Sequence, residues 1–374
     1  MDAPVHTRPI DALITGFPRL LARGLVRRLT NEHPDSTARL LVPPDEWTAA
    51  EAFRDTLAEA AKARVVLVPG RVMDTDLGLP GPAVEDLLAH ITHVFHAATL
   101  QTGPRGALRR HNVDATGRLL ELAGEMRVLE RFAFFSTSFV SGDRAGLIRE
   151  EDLYAGQSFR TAFERTMAEA EAMLRDQMPR LPICVFRPSS MIGHSRTGEP
   201  DSLDDGPNYL VRLLVRLPAE IPLVLPGSGV VPLNIVPIDY VVRAAVAIAR
   251  SPEADSRTFH LTDPNPLSAR QAFEILSDLA HRPAPFAGNL AARAARGLLR
   301  LPGFDRLVPQ QVALLEHLST HVVYDCAGTL DMLARTDIFC PPFETYADHL
   351  VAWVARYERE HRAATAAERQ PMTP

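Results

Sequence analysis

The amino-acid sequence predicts an α/β fold: a doubly wound parallel sheet with helices on both faces and a smaller, more helical C-terminal lobe. Three observations carry this. Short apolar runs of strand length alternate with amphipathic helical segments through the first half. The first apolar run ends on a glycine turn that opens directly into a helical pattern. The alternation lapses after about Arg196, where Pro, Gly and Asp cluster, and the C-terminal third is mainly helical in pattern.

The elements follow in order. Asp11–Ile14 reads as the first strand and Leu20–Thr30 as the first helix. Ala38–Val42 is strand-like and stops at Pro43-Pro44. Ala49–Ala63 is helical, Arg64–Val68 strand-like, Val84–Ala89 helical and His93–His96 strand-like. Leu108–Glu125 is a helix, Arg131–Phe135 a strand, Thr161–Gln177 a long helix and Ile183–Phe186 a strand. Further helices are expected at Tyr209–Leu217, Asp239–Arg250, Ala269–His281, Leu290–Leu299, Val308–Leu318 and Thr345–Glu360. Short strands are expected at Leu223–Leu225, Val230–Val236 and Phe259–His260. Residues 8–195 form the expected first lobe, to which 230–263 returns. Residues 196–229 and 264–362 form the second, and 363–374 a frayed polar tail.

Composition narrows the function. A formal net charge of −6 gives no basic excess, so neither nucleic acid nor an anionic membrane surface is an expected partner. No apolar run approaches the roughly 20 residues that span a bilayer, and Met1–Ile10 lacks the apolar core of a signal peptide. Cys184, Cys326 and Cys340 are odd in number and far apart. They form neither a disulfide framework nor a zinc set, so a reducing cytoplasm and no metal are expected.

The first turn reads Leu13-Ile14-Thr15-Gly16-Phe17-Pro18-Arg19-Leu20-Leu21-Ala22, a dinucleotide fingerprint with one of three glycines kept. In register behind it come Val94-Phe95-His96-Ala97-Ala98, Asn112-Val113-Asp114-Ala115-Thr116 and Phe135-Ser136-Thr137-Ser138. Phe163-Glu164-Arg165-Thr166-Met167-Ala168-Glu169-Ala170-Glu171 and Arg187-Pro188-Ser189-Ser190 follow. Asp76-Leu77-Gly78-Leu79-Pro80 and Cys340-Pro341-Pro342-Phe343 complete the set. In this order and spacing the chain resembles the extended short-chain dehydrogenase/reductases, closest to the thioester-reductase and fatty-acyl-reductase branch. The resemblance covers about Asp11 to Arg356. It implies a Rossmann-type first lobe for NAD(P) and a second lobe for a small-molecule or carrier-bound acyl substrate. It also implies dimerisation through two helices, here Leu108–Glu125 and Thr161–Gln177.

The resemblance assigns a catalytic Ser or Thr, a Tyr, and a Lys four residues after the Tyr. One helix face carries positions i and i+4, so the Lys reaches both phenol and ribose. Thr137 keeps the hydroxyl, but Phe163 stands at the Tyr position and Met167 at the Lys position. The implied cofactor positions are Thr15, Gly16, Arg19, Ala22, Arg71, Ala97, Ala98, Asn112 and Pro188. Arg19 replaces the second glycine, which lets backbone approach the pyrophosphate, and Arg71 replaces an acid near the adenine. Val42-Pro43-Pro44 ends the second strand with no ribose-binding acid, though Arg39 and Asp45 are near. The joint loss of Tyr and Lys predicts loss of ordinary nicotinamide redox activity. A binding or regulatory protein for an acyl-thioester, a nucleotide or a protein partner is then the expected function. Two alternatives stay open: non-redox chemistry on a carrier-bound intermediate, and an NAD(P)-dependent oxidoreductase with a substitute proton donor.

Each candidate has a plainer alternative. Arg19 and Arg71 either form a new anion site beside a helix N-terminus or are solvated or paired with carboxylates. Thr137 either binds a carbonyl oxygen or caps backbone. His96 and His194 are acid/base candidates or packing and loop residues, and Tyr154 and Tyr209 are candidate phenols. The Leu290–Leu318 segment either lines an acyl pocket or is ordinary core.

Overall fold

Strands buried on both faces need helices on both sides of the sheet. That is the arrangement in the computed structural model, which describes residues 9–204, 206–216, 224–225, 229–283, 286–287 and 320–368. Seven strands form one parallel sheet: β1 (Asp11–Thr15), β2 (Thr37–Val42), β3 (Val65–Pro69), β4 (His93–His96), β5 (Arg131–Phe135), β6 (Ile183–Pro188) and β7 (Arg257–Leu261). Their order is β7-β6-β5-β4-β1-β2-β3. Leu13 pairs with Arg39 of β2 on one side and Val94 of β4 on the other. The strand order therefore reverses between β1 and β4, which opens the ligand crevice at their carboxyl ends.

Helices α1 (Leu20–Glu32), α2 (Trp47–Asp55), α3 (Gly81–His90), α4 (Ala115–Glu125), α5 (Ala162–Gln177) and α6 (Ile238–Ala249) accompany the sheet. On α1 the buried set Leu21, Leu25, Val26 and Leu29 repeats at helical spacing. Helix α5 starts where the Thr161 side chain accepts the Glu164 amide, and it buries Met167, Ala168, Ala170, Glu171 and Leu174.

Two helices differ from the sequence reading. The expected helix Ala49–Ala63 is two, α2 and Glu59–Lys62, because the Thr56 hydroxyl donates to the Phe53 carbonyl and ends the first. The expected helix Leu108–Glu125 begins as Arg105–Arg109 and passes through a π turn at Arg110–Asp114 before α4. Asn112 sits in that turn, drawn out by bonds to both backbone groups of Leu100.

The chain divides into two compact units. The first comprises residues 1–189, 239–262 and 324–339; the second comprises residues 190–238, 263–323 and 340–374. Residues 230–238 thus lie in the second unit, where Ile235–Val236 pairs in parallel with Ser190–Met191. The second unit packs helices Gly206–Arg216, Ala269–Leu279 and Ala347–Glu368 around Leu210, Phe273, Phe343 and Val354. A capping box of Ser268 and Gln271 starts the second of these. The third runs through Glu368, over part of the expected tail. The segments Leu290–Leu299 and Val308–Leu318, with the acyl pocket they were weighed for, lie outside the described residues. Among the described residues no helix is long and apolar enough to cross a membrane.

Candidate cofactor and active site

Gly16 turns the chain from β1 into α1 at φ +102°. A Cβ there would lie 2.7 Å from the Ala97 carbonyl oxygen, so the turn needs glycine both for its angle and for its contact with β4. Thr15, one residue earlier, is fully buried, and its Oγ1 accepts the Ala97 and Ala98 amides at 3.2 Å each. With both lone pairs used, the Thr15 hydroxyl donates to His96 Nδ1 at 2.8 Å. His96 Nε2–H then donates to Thr116 Oγ1 at 2.9 Å, and the Thr116 hydroxyl donates to the Asn112 carbonyl at 2.7 Å. Burial, with His111 nearby, depresses His96 to about 3, so the imidazole is neutral and holds the turn. That is its packing role; it is no acid at neutral pH.

Arg19 is partly buried at the N-cap of α1, and its amide donates to the Gly16 carbonyl at 3.0 Å. The first turn of α1 carries no acidic residue, so the helix end keeps its positive potential. Ala22 is fully buried inside α1, where the third glycine of the fingerprint would stand. These residues fit a pyrophosphate by charge, with Arg19 as the one steric departure.

Asn112 is 1% exposed and fully committed. Its Oδ1 accepts the Leu100 amide, while Nδ2 donates to the Leu100 carbonyl and to Thr166 Oγ1. The π turn is thereby tied to α5, one residue before Met167. Pro188 closes β6, buried, opposite Leu261 of β7.

Thr137 follows β5 and caps the short turn Ser138–Ser141, accepting the Phe139 amide at 3.3 Å. Phe163 is partly buried against the core of the first unit, and Met167, one turn on, is wholly inside it. Neither an oxygen nor a charge is therefore present at the two positions. Tyr154 is 57% exposed, and Tyr209 packs against the core of the second unit. In the second unit, His194 Nδ1 accepts the Arg196 amide, as a loop residue does.

The turn after Thr137 also meets a phenol that the sequence did not reveal. Tyr324 is 6% exposed, with its hydroxyl 3.1 Å from Ser141 Oγ. Burial raises its pKa, and the hydrogen bond to Ser141 does not cancel this, so the phenol stays protonated. It lies 183 residues from Ser141, and no local pattern signals such a contact.

At the other end of the crevice, Arg71 pairs with Asp45 at 2.5 Å. Arg39 pairs with both carboxylate oxygens of Asp11 at 2.8 Å and also with Asp86. Among the described residues no group of three His, Cys, Asp or Glu is placed to hold a metal ion.

The sheet order, the glycine turn and the reversal beside it define the nucleotide-binding class of α/β proteins. Residues 14–245 match the NAD-binding family of male sterility proteins, and the chain belongs to that family of extended short-chain dehydrogenase/reductases. It is 27% identical to the glycine betaine reductase ATRR of Emericella nidulans over 73% of this chain and 22% of that one. It is also 27% identical to the aldehyde reductase lnaA of Aspergillus flavus over 70% of this chain and 26% of the other. The chain thus spans about a quarter of the length of these relatives. Among solved structures, the terminal R domain of the myxalamid PKS-NRPS pathway shares the fold at TM-score 0.76 and 23% identity, covering 97% of this chain and 96% of that one.

Proposed function

We propose that this chain binds a nicotinamide dinucleotide at the carboxyl edge of its sheet and an acyl-thioester beside Thr137, without carrying out ordinary reduction. It is then a binding or regulatory protein on a reductase fold. Met167 carries this reading. It has no exposed surface and belongs to the apolar core of the first unit, where an ammonium would be desolvated. Phe163 packs against the same core and offers no proton.

A bound dinucleotide supplies a hydride donor. The chain's own part is to seat the phosphates at the Gly16–Arg19 turn and to present the Thr137 hydroxyl to a carbonyl oxygen. Loss of a positioned acid/base costs about 10²- to 10⁴-fold in rate. Calorimetry with NADH and NADPH, run beside an absorbance assay with acyl-coenzyme A and aldehydes, tests the proposal. Binding without turnover is expected. Turnover abolished by Thr137→Val would overturn it, and so would absence of binding.

One observation favours a second reading, a reductase with a substitute proton donor: the buried, protonated Tyr324 at the turn that Thr137 caps. Turnover in the parent chain that Tyr324→Phe abolishes would select it. The proposal extends to a homodimer through the segments Leu108–Glu125 and Thr161–Gln177, which light scattering tests.

A further inference from the structure

The helical run that follows β4 starts at Arg105, and its opening turns carry cations where a helix disfavours them. The first turn has no acidic residue, and Arg105, Arg109 and Arg110 crowd the end at which the helix dipole is already positive. Residues 97–114 set these arginines against Asp114 alone, in a chain whose net charge is −6. Asp114 pairs with Arg109 at 3.0 Å, and Glu169 of α5 stands 3.6 Å from the same guanidinium. Both acids are thereby spent on Arg109. Arg105 and Arg110 stand exposed, without an ion pair among the described residues. The fold alone gives no reason for this arrangement; a bound anion does.

We infer that Arg105 and Arg110 receive the phosphate of a phosphopantetheine thioester, the group shared by acyl-coenzyme A and a carrier-bound acyl chain. The inference rests on the reading that the chain binds an acyl-thioester beside Thr137. Guanidinium forks match phosphate oxygens in geometry as well as charge. The two arginines also converge. Arg110 folds back along the helix, with Nη1 3.6 Å from where a Cβ on Gly106 would stand, next to Arg105.

Their position suits the far end of such a ligand. Asn112 bonds Thr166 at 3.0 Å, and a Cβ on Gly117 would lie 3.3 Å from Met173 Sδ. The helical run and α5 therefore lie side by side and point the same way, each starting at the carboxyl side of the sheet. Helix α5 also packs against the Ser138–Ser141 turn that Thr137 caps. Arg105 precedes Asn112 by seven residues, which is roughly 10 Å further out at the helical rise. The arginines thus lie outward of the acyl site, on the helix beside the one that borders it. A phosphate held off from its thioester by the pantetheine arm calls for such a separation.

The test is calorimetry of the full chain with three probes: octanoyl-pantetheine, octanoyl-4′-phosphopantetheine and octanoyl-coenzyme A. In the parent, both phosphate-bearing probes are expected to bind about tenfold more tightly than octanoyl-pantetheine. Whichever of those two binds better tells coenzyme A from a carrier arm as the source. Arg105→Gln with Arg110→Gln should erase the tenfold difference and leave octanoyl-pantetheine and NADH binding unchanged. Its melting temperature should not fall, since cations leave a positive helix end. Several results overturn the inference and leave the proposed function standing. They are equal binding of the pantetheine and phosphopantetheine probes in the parent, a difference that survives in the double variant, weaker NADH binding in that variant, or a fall in its melting temperature. Failure of all three probes to bind the parent overturns both.

Discussion

Arg187 at the end of β6 and Glu171 on α5 form a two-pronged ion pair with neither side chain exposed: Nη2 to Oε1 at 2.6 Å and Nε to Oε2 at 3.0 Å. The Ser136 hydroxyl adds a bond to Oε2 at 2.8 Å, and Arg175 a second charge on Oε1. Burial alone would raise the Glu171 pKa; Arg187, Arg175 and Ser136 outweigh it and hold it below the ordinary range. The pair fixes α5, and with it Phe163 and Met167, against β6, which ends on Pro188, and against Ser136, next to Thr137.

Removing one partner of this pair strands the other. Arg187→Met or Glu171→Gln should cost about 3–5 kcal/mol in urea unfolding, and Arg187→Met with Glu171→Leu much less than their sum. The pH dependence has a definite sign. The contribution of Glu171 is full above about 4.3, its unfolded value, and is lost as pH falls through its lower folded value. Unfolding midpoints from pH 7 down to pH 3 check this.

Glu150 should behave in the opposite way. Its Oε1 accepts the His260 amide at 2.9 Å, the Thr329 amide at 3.2 Å and the Thr329 hydroxyl at 2.8 Å. Burial outweighs these bonds and raises its pKa. The folded state therefore takes up the proton first, and this group's contribution falls as pH rises from the ordinary glutamate value through the raised one. Glu150→Gln should remove that dependence at little cost, since an amide oxygen still accepts. Glu150→Ala leaves three donors unmet and should cost about 2–4 kcal/mol by thermal or urea melts.

Gly16→Ala should disable the cofactor turn. The new methyl would sit 2.7 Å from the Ala97 oxygen at an angle that side chains avoid. A loss of about 1–3 kcal/mol is expected, together with dinucleotide binding too weak to detect by calorimetry. Gly81→Ala, with open space around its Cβ, is the matched control.

Met167→Lys should destabilise the protein, although the resemblance implies a lysine at this position. An ammonium would enter a position with no exposed surface, where it costs several kcal/mol even after relaxation, or it sheds its proton. Phe163→Tyr, partly buried, should be nearly neutral. Together they should yield no reductase activity at neutral pH, measured by dinucleotide oxidation.

Much of this was legible in the sequence. The strands His93–His96 and Arg131–Phe135 match residue for residue, because each is a short apolar run between polar boundaries. The long helix expected at Thr161–Gln177 was readable, because the Thr161 side chain caps its start. What escaped depends on distant partners. Asn112 in the π turn bonds Thr166, 54 residues away, and Glu150 bonds Thr329, 179 residues away. Arg71 was conspicuous as a departure, but its pairing with Asp45 depends on the spatial adjacency of β2 and β3.

The first unit is completed only by its last segment, Tyr324–Phe339. Asp325 bonds backbone to backbone with Ile148, its carbonyl accepts His260 Nδ1–H, and Thr329 satisfies Glu150. A ribosome that has released residues 1–262 has therefore delivered every strand of the sheet but not its closing piece. The nascent first unit must wait, with Glu150 lacking its two Thr329 bonds, while the whole intervening stretch of the second unit emerges. Chaperone holding and proteolytic vulnerability during synthesis should concentrate in that interval and end once Thr329 clears the exit tunnel.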